Sequence, residues 1–164
     1  MRRDQSVSSA GALSRRVAAV AAVGLLVAGC ATGAPRNSAG QVTAQASVDA
    51  FQVKVGDCTG SMKEGNVADL QVIPCAQAHY FEAFAGTQLA DGDYPGTDET
   101  TKRATAFCTA EFKTFIGLST KDSAYDMYFL FPVEASWATG DREVVCLVGS
   151  DKGRITGSLR GIGK

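Results

Sequence analysis

The chain has 164 residues, of which 45% are hydrophobic and 20% charged, and its formal net charge is -1. That is room for one ordinary domain with a core. Without residues 1–29 the chain keeps 12 basic and 16 acidic residues and has no basic run able to track a phosphate backbone, so nucleic acid is not an expected partner.

The first 29 residues do not read as part of that domain. Arg2, Arg3, Arg15 and Arg16 precede an apolar stretch from Val17 to Ala28. Such a stretch is too short to span a bilayer, which takes roughly 20 residues, and it fits the hydrophobic region of a signal peptide. It runs into Leu26-Val27-Ala28-Gly29-Cys30, which resembles the bacterial lipobox. The small residues at Ala28 and Gly29 let the backbone enter a peptidase site, and the Cys30 thiol accepts the diacylglyceryl group. The expectation is cleavage after Gly29, acylation of Cys30 and anchoring by two or three acyl chains. The protein is then held at the outer face of the cytoplasmic membrane. Ser14-Arg15-Arg16-Val17 also resembles a twin-arginine signal, so the export route stays open between the Sec and twin-arginine systems. Residues 30–50, rich in Ala, Thr, Gly, Ser and Gln, read as the lipidated N-terminus and a flexible tether.

The domain is expected over residues 51–164. Phe51, Val53 and Val55 alternate with polar residues and predict a strand that exits through Gly56-Asp57. Leu70, Val72 and Ile73 predict a second. His79 to Leu89 predicts a third, with Phe81, Ala83, Ala85 and Thr87 on one side. A turn follows at Asp91–Gly96. Helical spacing takes over from Thr97 to Ile116, capped by Thr97 or Asp98, with Ala104, Cys108, Phe112, Phe115 and Ile116 on one face and Gly117 as its stop. Strands are expected at Tyr125–Phe131 and Arg142–Val148, the latter joined by a hairpin loop to a last strand at Ile155–Leu159. The order indicates an α+β domain, a small antiparallel sheet with one main helix.

Five cysteines are present, and Cys30 accounts for the odd one. Outside the cytosol the other four favour disulfides, with three connectivities open. The pairing adopted is Cys58–Cys75, closing a local loop, and Cys108–Cys146, pinning the helix to a late strand. A metal site built on Cys75 and His79 lacks both a CxxC pair and a second histidine, so neither metal nor cofactor is expected. Asp91, Asp93, Asp98 and Glu99 do not match the spacing of a calcium loop. His79 is the only histidine, and no Gly-x-Ser-x-Gly elbow accompanies it. It reads first as a structural hydrogen-bonder, and Trp137, Asp141 and Arg142 read first as a packed turn. These four are the candidate binding residues.

Gly56-Asp57-Cys58, Pro74-Cys75 with His79, Cys108, Pro132 with Trp137, and Gly140-Asp141-Arg142 with Cys146 occur in that order. Together with Gly157-Ser158-Leu159-Arg160-Gly161 they resemble the septum formation-related domain of actinobacterial envelope proteins, over about residues 51–161. That family usually sets a proline or an acidic residue beside its histidine, where this chain has Ala78 and Tyr80. The resemblance implies two disulfides, placement outside the cytoplasmic membrane and a link to septum formation. It implies no reaction. The expected function is a non-enzymatic lipoprotein that binds an envelope or division protein or a wall component. The alternative is a small enzyme or ligand carrier acting on a wall or lipid precursor, with His79, Asp141 and Arg142 lining its site.

Overall fold

A computed structural model describes residues 33–62, 65, 67–150 and 152–164. The expected signal peptide and the lipid attachment at Cys30 lie outside the described residues. Six strands, β1 (Ala46–Asp49), β2 (Cys58–Thr59), β3 (Asp69–Ile73), β4 (Phe81–Gln88), β5 (Asp126–Leu130) and β6 (Glu143–Gly149), form one antiparallel sheet in the order β1-β3-β2-β4-β6-β5. Helix α1 (Thr97–Ile116) crosses between β4 and β5, and a single turn of helix, α2 (Glu134–Trp137), precedes β6. The fold is α+β with one main helix and two disulfides, Cys58–Cys75 and Cys108–Cys146. No helix among the described residues is long and apolar enough to cross a membrane.

The sheet is buried on both faces. Val144, Cys146 and Val148 of β6 pack beneath Ala104, Cys108, Phe112, Phe115 and Ile116 of α1. Val145 and Leu147 point the other way, to a second cluster with Val48, Val72 and Phe81. This is why β6 is apolar at every position from Val144 to Val148 rather than at alternate ones. The helical face is the one its spacing predicts. Its first turn differs: the cap is Gly96, at φ 89°, which a side chain would strain, and Thr97 and Asp98 already lie inside the helix. Gly117, at φ 95° and donating to Lys113 O, ends it as expected.

Three expectations are corrected. No strand forms over residues 51–55. The Asp49 carboxylate accepts from Phe51 N at 2.9 Å and Asp57 accepts from Lys54 N at 2.9 Å, so side chains take backbone donors that a ladder would use. Val53 is buried, while Phe51 and Val55 are 57% and 53% exposed.

The fold also begins before Phe51. Arg36 bridges to Val42, β1 pairs with β3, and Val42 and Val48 are buried. These apolar residues are too sparse among polar neighbours to show a period. Finally, Ile155–Leu159 is not a strand beside β6, because β4 and β5 already occupy both edges of β6. The segment ties to the start of β4 instead. His79 and Ile155 exchange backbone hydrogen bonds at 2.9 and 2.8 Å, and Glu82 accepts from Ser158 Oγ and Leu159 N, both at 2.7 Å.

One deviation inside β4 shapes both faces. Ala83 sits opposite Leu147 and Ala85 opposite Cys146, so Phe84 is an extra residue, a β-bulge. Phe81 and Ala83 therefore face the second cluster, while Phe84 and Ala85 turn to the helix. Phe84 meets Phe112 edge-on at 5.9 Å.

Candidate functional site

On the face away from α1 the sheet carries a half-open cavity of about 590 Å3, within the range of small-ligand and peptide pockets. The sheet contributes Phe81, Val145 and every residue from Met127 to Leu130, and Phe131 follows. Ala50, Phe51, Met62 and Val67 come from the segments beside β1 and β3, Val133, Ser136 and Asp141 from around α2, and Glu143 from the start of β6. Most of this lining is apolar.

Successive side chains of a strand point to opposite faces. That Met127, Tyr128, Phe129 and Leu130 all line the cavity means that it wraps around the outer edge of β5. That edge carries no strand partner among the described residues, because β5 ends the sheet and pairs with β6. The ring of Tyr128 packs edge-on against Phe81 at 4.9 Å, and Phe129 meets Phe131 at 5.6 Å.

The polar side of the groove is a carboxyl pair on a hydrogen-bonded turn. Ser136 Oγ donates to Asp141 Oδ2 at 2.9 Å, and Glu143 N donates to Asp141 Oδ1 at 3.0 Å. Asp141 is thereby fixed. Burial raises the Glu143 carboxyl above its ordinary range, repulsion from Asp141 adds to this, and Lys54 offsets part of it. A raised carboxyl pKa means that folding favours the protonated form. The associated stability is whole below the ordinary carboxylate range and is lost as pH rises through the folded pKa. Glu143→Gln is therefore expected to be more stable than the parent at neutral pH, with the advantage vanishing in acid. Unfolding curves across pH check this; an unchanged difference at all pH values would refute it.

Three of the four candidate residues, Trp137, Asp141 and Arg142, lie together on one turn, and His79 is apart from them. Asp141 lines the groove. Trp137 and Arg142 lie beside it and are spent on structure. Trp137 is 5% exposed and its Nε1 donates to Gly92 O at 2.8 Å. The Arg142 guanidinium stacks 3.8 Å from the Trp137 ring centroid and donates to Trp137 O and Asp141 O at 2.8 and 2.7 Å. Asp91 Oδ1 lies 3.2 Å from Arg142 Nε, without hydrogen-bond alignment, and Asp91 is 95% exposed, so that pair adds little.

His79 is elsewhere. It is fully buried, its Nδ1 lies 2.8 Å from Gln77 O and therefore carries the proton, and its Nε2 has no hydrogen-bond partner among the described residues. It does not line the groove. Nor is Cys75 a thiolate ligand beside it, being tied to Cys58. Among the described residues no cluster of three His, Cys, Asp or Glu side chains is placed to hold a metal ion.

The Asp of the Gly56-Asp57-Cys58 motif has a structural task that the sequence does not disclose. Asp57 is 2% exposed, and Arg36 binds it through both guanidinium nitrogens at 2.6 and 2.7 Å. The charge-assisted hydrogen bonds that Arg36 donates to the Asp57 carboxylate raise the Arg36 pKa further above its already high value.

Comparison with curated proteins and with solved structures returned no match. A family model described as "Septum formation" matches residues 23–153. The match takes in both disulfides, His79, the groove and the Trp137–Arg142 turn, and it ends before the Gly157–Gly161 segment. It covers most of the chain: this protein belongs to the septum formation family.

Proposed function

We propose that this septum-related protein is a non-catalytic binding module, held by lipid on Cys30 at the outer face of the cytoplasmic membrane. Its groove takes an extended, apolar segment of an envelope or division protein. One observation carries the reading: an apolar cavity lined by Phe81, Val145 and Met127 to Phe131 runs along β5, the last strand of the sheet. An extended segment laid there sends alternate side chains into the cavity. Asp141 and Glu143 on its polar side suit a lysine or arginine in that segment and disfavour a phosphate head group.

Support for a binding role over a catalytic one comes from the same geometry. His79, Asp141 and Arg142 do not share a cleft, Arg142 is stacked and hydrogen-bonded internally, and the Cys58, Cys75, Cys108 and Cys146 sulfurs are paired. The family description names a process and not a reaction.

A photoreactive benzoylphenylalanine in place of Phe129, in growing cells, tests this. The expected result is a crosslink to an extended apolar segment bearing a basic residue. It should disappear when Glu143→Lys is added and be missing from the same probe at Lys102 on α1. Crosslinks of equal strength from Lys102, or crosslinks untouched by Glu143→Lys, would overturn the reading.

A further inference from the structure

We infer that the face bearing Phe51 and Val55 rests on the lipid bilayer, so that the domain lies flat on the membrane rather than swinging above it. The inference rests on the proposed lipid at Cys30 and follows from how few residues separate that cysteine from the folded part. Gly33 is already part of the fold: a Cβ there would lie 4.0 Å from Gln52 Oε1, and Ala34 packs against the second core cluster. Three residue steps separate Gly33 from Cys30, which limits the distance between their Cα atoms to about 11 Å. Lipid chains on Cys30 therefore leave the protein within about 15 to 17 Å of the Gln52 side-chain amide, on the same short helical turn as Phe51.

The surface at that point is suited to a bilayer. Phe51 and Val55 are the two most exposed large hydrophobic side chains among the described residues, at 57% and 53%. They flank the loop that holds exposed Lys54. Phe51 lies on the wall of the groove, and Val55 Cγ2 sits 3.3 Å from where a Gly86 Cβ would be, close to Glu143 Oε1. An apolar pair around a cation, beside an acyl anchor, matches the chemistry of the boundary between head groups and acyl chains. Asp57, in the same loop, is buried on Arg36 and offers no charge to repel anionic lipid. Exposed Asp49 and the groove carboxyls Asp141 and Glu143 oppose docking on anionic lipid, although one Asp49 oxygen is taken up by Phe51 N, both Asp141 oxygens are hydrogen-bonded, and burial favours the protonated form of Glu143. The groove then opens next to the membrane, within reach of segments close to a partner's membrane anchor.

The test uses the full lipidated chain reconstituted into phosphatidylglycerol vesicles, with Phe51→Trp and, separately, Val55→Trp. Native Trp137, buried and hydrogen-bonded to Gly92, gives the background, and Lys102→Trp on the exposed side of α1 is the control. Both new tryptophans should shift to the blue on reconstitution and lose most of their emission to brominated lipid, and the Lys102→Trp signal should not. Flotation reads the anchor separately. Chains that float with the vesicles while both new tryptophans stay water-like and unquenched overturn the docking and leave the anchor standing. Chains that do not float overturn both. A blue shift that depends on protein concentration without lipid assigns the patch to a second copy and also overturns the inference.

Discussion

Replacing Cys108 and Cys146 together by alanine is expected to cost about 4 kcal/mol of stability and to lower the melting temperature by roughly 15 °C. The bridge joins residues 38 apart. Closing a loop of that length removes entropy from the unfolded chain worth about 3.9 kcal/mol on the chain-entropy account. Both cysteines are wholly buried, so alanine also leaves unfilled space beside Phe112 and Val144 in the same cluster. The companion bridge, Cys58–Cys75, spans 17 residues and has one end half-buried, and its loss should cost about 3 kcal/mol. Urea unfolding of the two double variants at one pH gives the comparison. A smaller loss for the Cys108 and Cys146 variant than for the other would contradict this account of the helix-to-sheet bridge. Domains of this size have only about 5–15 kcal/mol of net stability. The longer bridge is thus a large fraction of what keeps α1 on the sheet.

Legibility in the sequence tracks how local the determinant is. Helix α1 could be read because Ala104, Cys108, Phe112, Phe115 and Ile116 repeat at helical spacing before a glycine stop, and all the information lies within the element. The pairing of Cys108 with Cys146 follows from that face. The bulge at Phe84 could not be read, since Ala83, Phe84 and Ala85 are all apolar and each fits either side of a sheet buried on both faces. The Phe51–Val55 alternation misleads because an Asp two or three residues away captures the backbone N–H at each end, a competition that hydrophobic periodicity ignores. Ile155–Leu159 misleads for a topological reason: strand count around β6 is set elsewhere in the chain.

The candidate site was less legible still. Its walls come from residues near 50, 65, 81, 130, 136 and 145, and no local motif marks them. His79 drew attention as the only histidine, yet it is packed against the C-terminal segment. Two clues were present and ordinary in themselves. Met127 to Phe131 is more apolar than an edge strand needs to be, and edge strands that stay exposed are usually protected by charge. Of the four candidate residues, Asp141 alone reaches the groove. The Gly56-Asp57-Cys58 motif is a structural joint: its aspartate ties Arg36 to the loop that bears Phe51.

Breaking that joint gives the second large effect. Arg36→Ala is expected to destabilise the protein by about 3 kcal/mol. The Asp57 carboxylate stays 2% exposed in a site built for a cation and keeps, among the described residues, Lys54 N as its one donor apart from Arg36. Removing one partner of such a pair leaves a buried charge uncompensated, which costs more than the pair's own net contribution. Arg36 itself is 18% exposed, so water can partly replace it, and the lower end of the usual 3–5 kcal/mol range applies. Arg36→Lys keeps the charge but loses the two-pronged contact and should fall between parent and alanine. Arg36→Met with Asp57→Asn should recover part of the loss, which a double-mutant cycle reads as coupling between the two side chains. The loss should also be local. Arg36 holds residues 33–42 against the loop that bears Phe51, so amide exchange at Val42 and Thr43 should speed up in Arg36→Ala far more than at Val145 or Leu147 in the sheet centre. Equal acceleration across the sheet would make the pair a general stabiliser and not a joint. Acceleration confined to the N-terminal segment means that this ion pair fixes residues 33–42 to the loop bearing Phe51, and on the proposed bilayer docking the same variant should then weaken contact of Phe51 with vesicles while flotation through the proposed lipid on Cys30 is kept.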